Sequence, residues 1–228
     1  MYLKHLLRKT GFDMRRYHSL YDTLLRHHSI TTVLDIGAND GEWSAEMRRL
    51  LPQAQVYAFE PLADHHEGLI SRFKNDRHFQ SFNVALGEKD GEAEIERSSF
   101  HPSSSLLPMA ALHKELYPKS KETHKEKILI RRLDSIAQEL TLTPNILVKM
   151  DVQGFEDKVI AGGKETLGKA TIVIAETSFV ELYKNQPLFG DIHDALRNIG
   201  FSYHGNCGEH YSPKTGERIY EDSVFVKN

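Results

Sequence analysis

Four acidic residues stand at or beside the C-terminal ends of short apolar runs. Asp35 sits in V-L-D-I-G, Glu60 follows Q-V-Y-A-F, Asp151 follows N-I-L-V-K-M and Glu176 follows T-I-V-I-A. A carboxylate in such a place can accept hydrogen bonds from a ligand, balance a cation, or take a proton from a reacting hydroxyl. The nine residues Val33–Gly41, V-L-D-I-G-A-N-D-G, carry the first of them. Two glycines, Gly37 and Gly41, allow unusual backbone angles and close approach of a ligand to the main chain. The spacing lacks the G-x-G-x-x-G that seats a pyrophosphate on helix-terminal amides. Asp35 would repel a phosphate and suits a ligand with a cationic end. S-adenosylmethionine carries an ammonium and a sulfonium and no phosphate, so charge favours it over a nicotinamide dinucleotide. Glu60 can accept both hydroxyls of a ribose. Asn83, Val84 and Ala85, after a third apolar run, are expected beside the base.

Asp151 and Glu176 bear on reaction type. Methyl transfer from a sulfonium needs chiefly alignment and removal of a proton from the acceptor. Asp151 is the first candidate base and Glu176 the second; together they could instead hold a divalent cation. Thirteen histidines invite a zinc reading, but His27–His28 and His65–His66 are adjacent pairs and no H-E-x-x-H or cysteine pair occurs. His101, in a serine-rich loop, is a further candidate base. No G-x-S-x-G elbow supports a serine hydrolase.

These residues need elements to position them. The chain alternates β-rich and helical segments. Helices are expected over Glu42–Leu51, Asp64–Asn75, Phe155–Leu167 and Asp191–Asn198. Strands are expected over Gln55–Phe59, Phe79–Val84, Glu92–Arg97, Ile128–Leu133, Asn145–Met150 and Thr171–Ala175. That rhythm means a parallel sheet with right-handed crossovers. Phe201–His204 and Ser223–Lys227 read as a closing antiparallel pair. Residues 1–30 read as an N-terminal cap of two short amphipathic helices split near Gly11, a wall of the substrate pocket or a homodimer contact. Residues 98–127, polar and charged, read as a lid loop in a single catalytic domain over 31–228.

With 228 residues the chain buries a full core without metal or disulfide. Its 29 basic and 32 acidic residues disfavour a nucleic-acid binder held by a basic field. One cysteine, Cys207, excludes an intramolecular disulfide and fits a reducing compartment. No 18-residue apolar segment or continuous leader occurs, so a cytoplasmic protein without membrane contact is expected.

Six runs together resemble the FkbM-type S-adenosylmethionine-dependent methyltransferases. They are V-L-D-I-G-A-N-D-G (33–41), A-F-E-P (58–61), N-V-A-L-G (83–87), S-S-S-L (103–106), R-L-D-S (132–135) and L-V-K-M-D-V-Q-G-F-E (147–156). They occur in family order between Thr31 and Glu176. The resemblance implies a Rossmann-like class I methyltransferase fold: a mostly parallel seven-stranded sheet, helices on both faces and an antiparallel C-terminal hairpin. It implies O-methylation of a sugar or other small-metabolite hydroxyl. Asp35, Gly37, Ala38, Asn39 and Gly41 would surround the methionine portion, Glu60 and Pro61 the ribose, Asn83, Val84 and Ala85 the adenine. Asp151 would lie near the transferred methyl. The family usually reads D-x-E-G-x-E where this chain has Gln153, which removes a charge and weakens a metal role. Gln153 also motivates the rival reading of a cofactor-binding protein without transferase activity. A nicotinamide-dependent oxidoreductase is a weaker alternative, permitted by Glu60 alone.

Overall fold

A computed structural model describes residues 20–98 and 103–228. Five short strands, most of them rich in β-branched and aliphatic residues, form a parallel sheet core. They are β1 (Thr32–Ile36), β2 (Gln55–Phe59), β3 (Phe79–Phe82), β7 (Ile146–Met150) and β8 (Ala170–Ser178). β9 (Phe201–Tyr211) and β10 (Arg218–Lys227) complete the sheet, in the order β3-β2-β1-β7-β8-β10-β9. β10 is antiparallel to both its neighbours. All five residues of β1 are buried, as a central strand covered on both faces requires.

Alternation along each strand divides the core in two. Leu34, Ile36, Val148, Met150, Val173 and Phe225 pack on one face. Helices α5 (Leu133–Ile136), α6 (Glu156–Gly162), α7 (Lys164–Leu167) and α8 (Phe189–Asn198) cover that face through Ile136, Val159, Leu167 and Leu196. Val33, Val56, Leu147, Ile172 and Val224 pack on the other face with Leu25 of α1 (Leu20–His28) and Met47 of α2 (Glu42–Leu50). Beside them α3 (Ala63–Arg72) sets Leu69 against Ala38 and Ala58.

The chain leaves β1 toward β2 on one side and runs from β7 to β8 on the other. The strand order therefore reverses between β1 and β7, and a crevice opens at their C-terminal ends. A second sheet, β4 (Ala85–Leu86), β6 (Thr123–Arg131) and β5 (Gly91–Ser98), gives that crevice a wall through Ala85, Leu86 and Ile95.

The expected seven-stranded, mostly parallel architecture with its antiparallel hairpin is the one observed. Details differ. The helix expected over Phe155–Leu167 is two, α6 and α7, interrupted at Gly163. The hairpin strands are longer than expected, because polar residues of β9 and β10 pair beyond the apolar stretches. They do so around Glu221, a fully buried carboxylate that accepts from Tyr203 Oη (2.8 Å), Ser223 Oγ (2.7 Å) and Asn206 Nδ2 (3.2 Å). The helices expected before Leu20 lie outside the described residues, as does part of the expected lid. The rest of that lid carries helix α4 (Ala111–Leu116) and is stitched to the body. Met109 bridges Tyr183, and Glu96 and Ser105 exchange backbone bonds of 2.8 and 3.2 Å.

Candidate active site

The turn after β1 is set by how closely two strands end together. Gly37 has φ 84°, and a Cβ there would lie 2.0 Å from the Asp151 carbonyl oxygen at the end of β7. Only glycine fits this seam. The amides of Gly37 and Ala38 both donate to Phe59 O, at 3.0 and 3.1 Å, which ties the turn to the end of β2. Glu60 follows there. Its carboxylate spans the two turns, accepting from Asn39 N at Oε2 and Leu62 N at Oε1, each at 2.9 Å. Glu60 is 5% exposed, and burial pushes its carboxyl up to about 7 despite these two donors. Each oxygen keeps a second lone pair for a ligand hydroxyl.

Across the seam the polar groups are side chains. Lys149 Nζ lies 2.9 Å from Asp151 Oδ2. Gln153 Nε2 donates to Asp151 Oδ1 at 2.8 Å and to Glu176 Oε1 at 3.1 Å. Tyr183 donates to Gln153 Oε1 at 2.8 Å, with Ser103 O 3.2 Å from the same hydroxyl. Beneath them Glu156 Oε1 accepts from Val152 N (3.1 Å) and Gly154 N (3.3 Å) and so holds the turn that carries Gln153. Burial opposes ionisation of Asp151, but the Lys149 ammonium beside it prevails and holds the carboxyl below the usual range. Burial pushes Glu176 well up, and Asp151, Glu156 and Asp222 add to it. The two acids therefore differ in kind: Asp151 is held as a fixed charge, and Glu176 is the stronger base.

Gly37, Asn39 and Glu60 on one side and Asp151, Gln153 and Glu176 on the other line one cavity of about 320 Å³. Of the residues expected there, Gly37, Asn39, Glu60, Pro61, Val84, Ala85, Asp151 and Glu176 are in its wall. Asp35, Ala38, Gly41 and Asn83 are not. Asp35 is fully buried under the turn, where Oδ2 accepts from Ser44 Oγ at 2.6 Å and Oδ1 has no partner. Burial raises its carboxyl, so it supports the turn and does not present a charge to the cavity. Gly41 is the N-cap before α2, and Asn83 Nδ2 donates to the carbonyls of Glu60 (3.0 Å) and Pro61 (2.8 Å). His101 lies outside the described residues.

The wall also holds residues that sequence reasoning passed over: His113, Tyr117, Leu182 and Tyr220. His113 is 2% exposed, its Nε2 lies 3.0 Å from Ser120 Oγ, and burial lowers its pKa to about 4, so it is neutral. The i,i+4 spacing of His113 and Tyr117 was the legible signal, because it sets both rings on one side of a turn (centroids 5.1 Å apart). Tyr220 had no such signal; it reaches the cavity only through pairing of β10 with β8. Among the described residues no group of three or more His, Cys, Asp or Glu side chains is arranged to hold a metal ion. The expected cation position between Asp151 and Glu176 is bridged by the Gln153 amide.

The Methyltransferase FkbM domain family matches residues 35–203, from the first acid to β9. The chain belongs to the FkbM methyltransferase family. Within curated proteins it is similar to the 2-O-methyltransferase NoeI of Sinorhizobium fredii, 33% identical over 171 residues, 68% of this chain and 66% of that protein. It is also similar to Methyltransferase 1 of Beauveria bassiana, 25% identical over 189 residues, 75% of this chain and 72% of that one. An FkbM methyltransferase structure from Methylobacillus flagellatus shares the fold, with a TM-score of 0.54 at 14% identity over 86% of this chain and 43% of its own. The chain thus spans just under two thirds of NoeI and less than half of the M. flagellatus protein. The FkbM match contains every cavity residue named above except Tyr220. Among the described residues no helix is long and apolar enough to cross a membrane.

Proposed function

We propose that this chain is an S-adenosylmethionine-dependent O-methyltransferase acting on a hydroxyl of a sugar or other small metabolite. The observation that carries this reading is the charge and chemistry of one cavity. Its wall holds Glu60, with spare acceptor capacity for a ribose, and no lysine or arginine for a phosphate among the described residues. Across the seam the wall holds two acids of opposite character. NoeI, which bears the name 2-O-methyltransferase, supports oxygen as the acceptor atom.

When bound, the cofactor supplies a methyl group on a sulfonium, whose carbon–sulfur electron pair returns to a neutral sulfur on transfer. The chain does the rest. Glu60 accepts the ribose hydroxyls, with Val84, Ala85 and Leu86 beside the base. Asp151, kept ionised by Lys149, sets a negative charge facing the cationic donor. Glu176 takes the proton of the acceptor hydroxyl as its oxygen gains the new bond to carbon, and later returns that proton to water. A carboxyl raised above its ordinary range by burial is the stronger base and suits this role better than one held low. Ser103–Leu106 and Leu182 close the cavity wall and limit access of water. We propose a cytoplasmic setting, which the single cysteine of the sequence permits.

Calorimetry with S-adenosylhomocysteine tests the reading. We expect one site per chain, followed by methyl transfer from labelled S-adenosylmethionine to at least one member of a panel of neutral sugars and phenols. Folded protein that binds no S-adenosylhomocysteine overturns the assignment. Binding without turnover across the panel favours a cofactor-binding protein that is not an enzyme.

A further inference from the structure

Gln153 spends its whole side chain on other residues of the site. Its two N–H groups go one to each acid, at 2.8 Å to Asp151 Oδ1 and 3.1 Å to Glu176 Oε1, and its carbonyl accepts from Tyr183 at 2.8 Å. A flipped amide would turn its oxygen toward two carboxylates, so the acids and Tyr183 select the same orientation. The backbone is committed as well. Gln153 has φ 55°, a conformation that residues other than glycine adopt only where their surroundings over-determine it. Those surroundings are on both sides. Glu156 Oε1 accepts the amides of Val152 and Gly154, and Ser105 Oγ donates to Gln153 O at 2.7 Å.

We infer that Gln153 is a positioning residue: its carboxamide, oriented by Tyr183, clamps the carboxylates of Asp151 and Glu176 at the cavity wall and does there what a bound cation would otherwise do. Two carboxylates on adjacent strand ends repel unless something positive lies between them. Lys149 serves only Asp151 by a direct bond. Near Glu176 stand three acids, Asp151, Glu156 and Asp222, one cation, Lys149, and the hydroxyls of Tyr117, Tyr183 and Tyr220. Within that set Gln153 is the donor bonded to both acids at once. The clamp keeps Asp151 charged and leaves Glu176 able to exchange a proton, which is the division of labour that methyl transfer to a hydroxyl requires. That use of the clamp rests on the proposed function; the clamp itself does not.

The test follows Glu176 directly, by carbon-13 titration of the side-chain carboxyls in the full chain, with Glu176→Gln identifying the signal. A donor that bonds the ionised form lowers a carboxyl's pKa, so its loss raises it. We expect the Glu176 midpoint to rise by about one pH unit, a tenfold gain in proton affinity, in Gln153→Ala. Tyr183→Phe, which removes one hydroxyl and keeps the ring, should give a smaller rise in the same direction. It also decides the matter if Gln153→Ala fails to fold. Midpoints within about 0.3 unit of the parent, in every variant that folds, overturn the clamp. Calorimetry of the parent protein with S-adenosylhomocysteine separates the two readings. A shifted midpoint without binding refutes the function and keeps the clamp; binding with an unshifted midpoint does the reverse.

Discussion

The two halves of the cavity are built on opposite plans. The half at β1 and β2 is made of backbone: the turn amides of Asn39 and Leu62 converge on Glu60, and the other wall residues there are small or apolar. The half at β7, β8 and β10 is made of side chains that hold one another, Lys149 to Asp151 to Gln153 to Glu176 and Tyr183. A backbone cradle is rigid and recognises shape. A side-chain network can move a proton and change with one substitution. A cofactor shared by many reactions fits the first plan, and an acceptor peculiar to one reaction fits the second. Glu60 and Glu156 show the contrast in miniature. Each carboxylate spans two backbone amides and each is pushed to about 7, yet Glu60 faces the cavity while Glu156 is sealed behind it.

The seam where the halves meet should be the most sensitive point. Gly37→Ala forces a methyl to within 2.0 Å of the Asp151 carbonyl at φ 84°. Overpacking costs about 1–3 kcal/mol and left-handed strain about 1–2 more. At roughly 2–4 °C per kcal/mol for a chain of this size, Tm should fall by at least about 4 °C. S-adenosylhomocysteine binding should vanish and the Glu176 midpoint should move, because both halves lose their common edge. Normal binding in this variant would show that the halves are not joined there.

The same contrast explains what could be read from the sequence. Glu60, Gly37, Asn39 and Ala85 are legible because each belongs to a contiguous run whose spacing fixes a strand, a turn and its cavity-facing groups. Asp35 is legible as an acid in the right turn, but not in its role: the pleat sends its carboxylate toward Ser44, under the turn. The other half is assembled from segments far apart in sequence. Tyr117, Leu182 and Tyr220 reach Asp151 and Glu176 only through sheet pairing and the bridge of Met109 to Tyr183. Gln153 was visible only as a departure from a family pattern. Of its three side-chain bonds only the one to Asp151 is local; Glu176 lies 23 residues away and Tyr183 30.

A smaller change should separate the halves. Glu60→Gln keeps one acceptor oxygen but turns an N–H toward a backbone donor. Losing one charge-assisted bond should weaken S-adenosylhomocysteine binding about ten- to hundredfold, roughly 1.4–2.7 kcal/mol. The Glu176 midpoint should stay where it is. The pH dependence adds a sign. In the proposed complex ribose hydroxyls would donate to the ionised carboxylate, and burial pushes Glu60 up to about 7, so affinity in the parent should rise from pH 6 to pH 8. In Glu60→Gln that rise should flatten. An equal rise in both proteins would assign the titration to another group.

The change furthest from the cavity concerns Glu156, the counterpart behind the wall. Its folded pKa of about 7 lies above the ordinary 4.5, because burial disfavours its charge. Below 4.5 the group is protonated in both states and costs nothing. Between 4.5 and 7 the unfolded chain ionises first, so stability drains away as pH rises, and above 7 the full loss is present. Glu156→Gln keeps the oxygen that accepts from Val152 and Gly154 and removes the titration. The variant should match the parent at pH 4 and exceed it at pH 8, by about 1–3 kcal/mol, or a few degrees in Tm. Equal melting curves at pH 8 would mean that water or a neighbouring donor already neutralises this carboxylate. The turn under Gln153 would then hold a stable charge, and the side-chain half of the cavity would stand closer in plan to the backbone half than its geometry indicates.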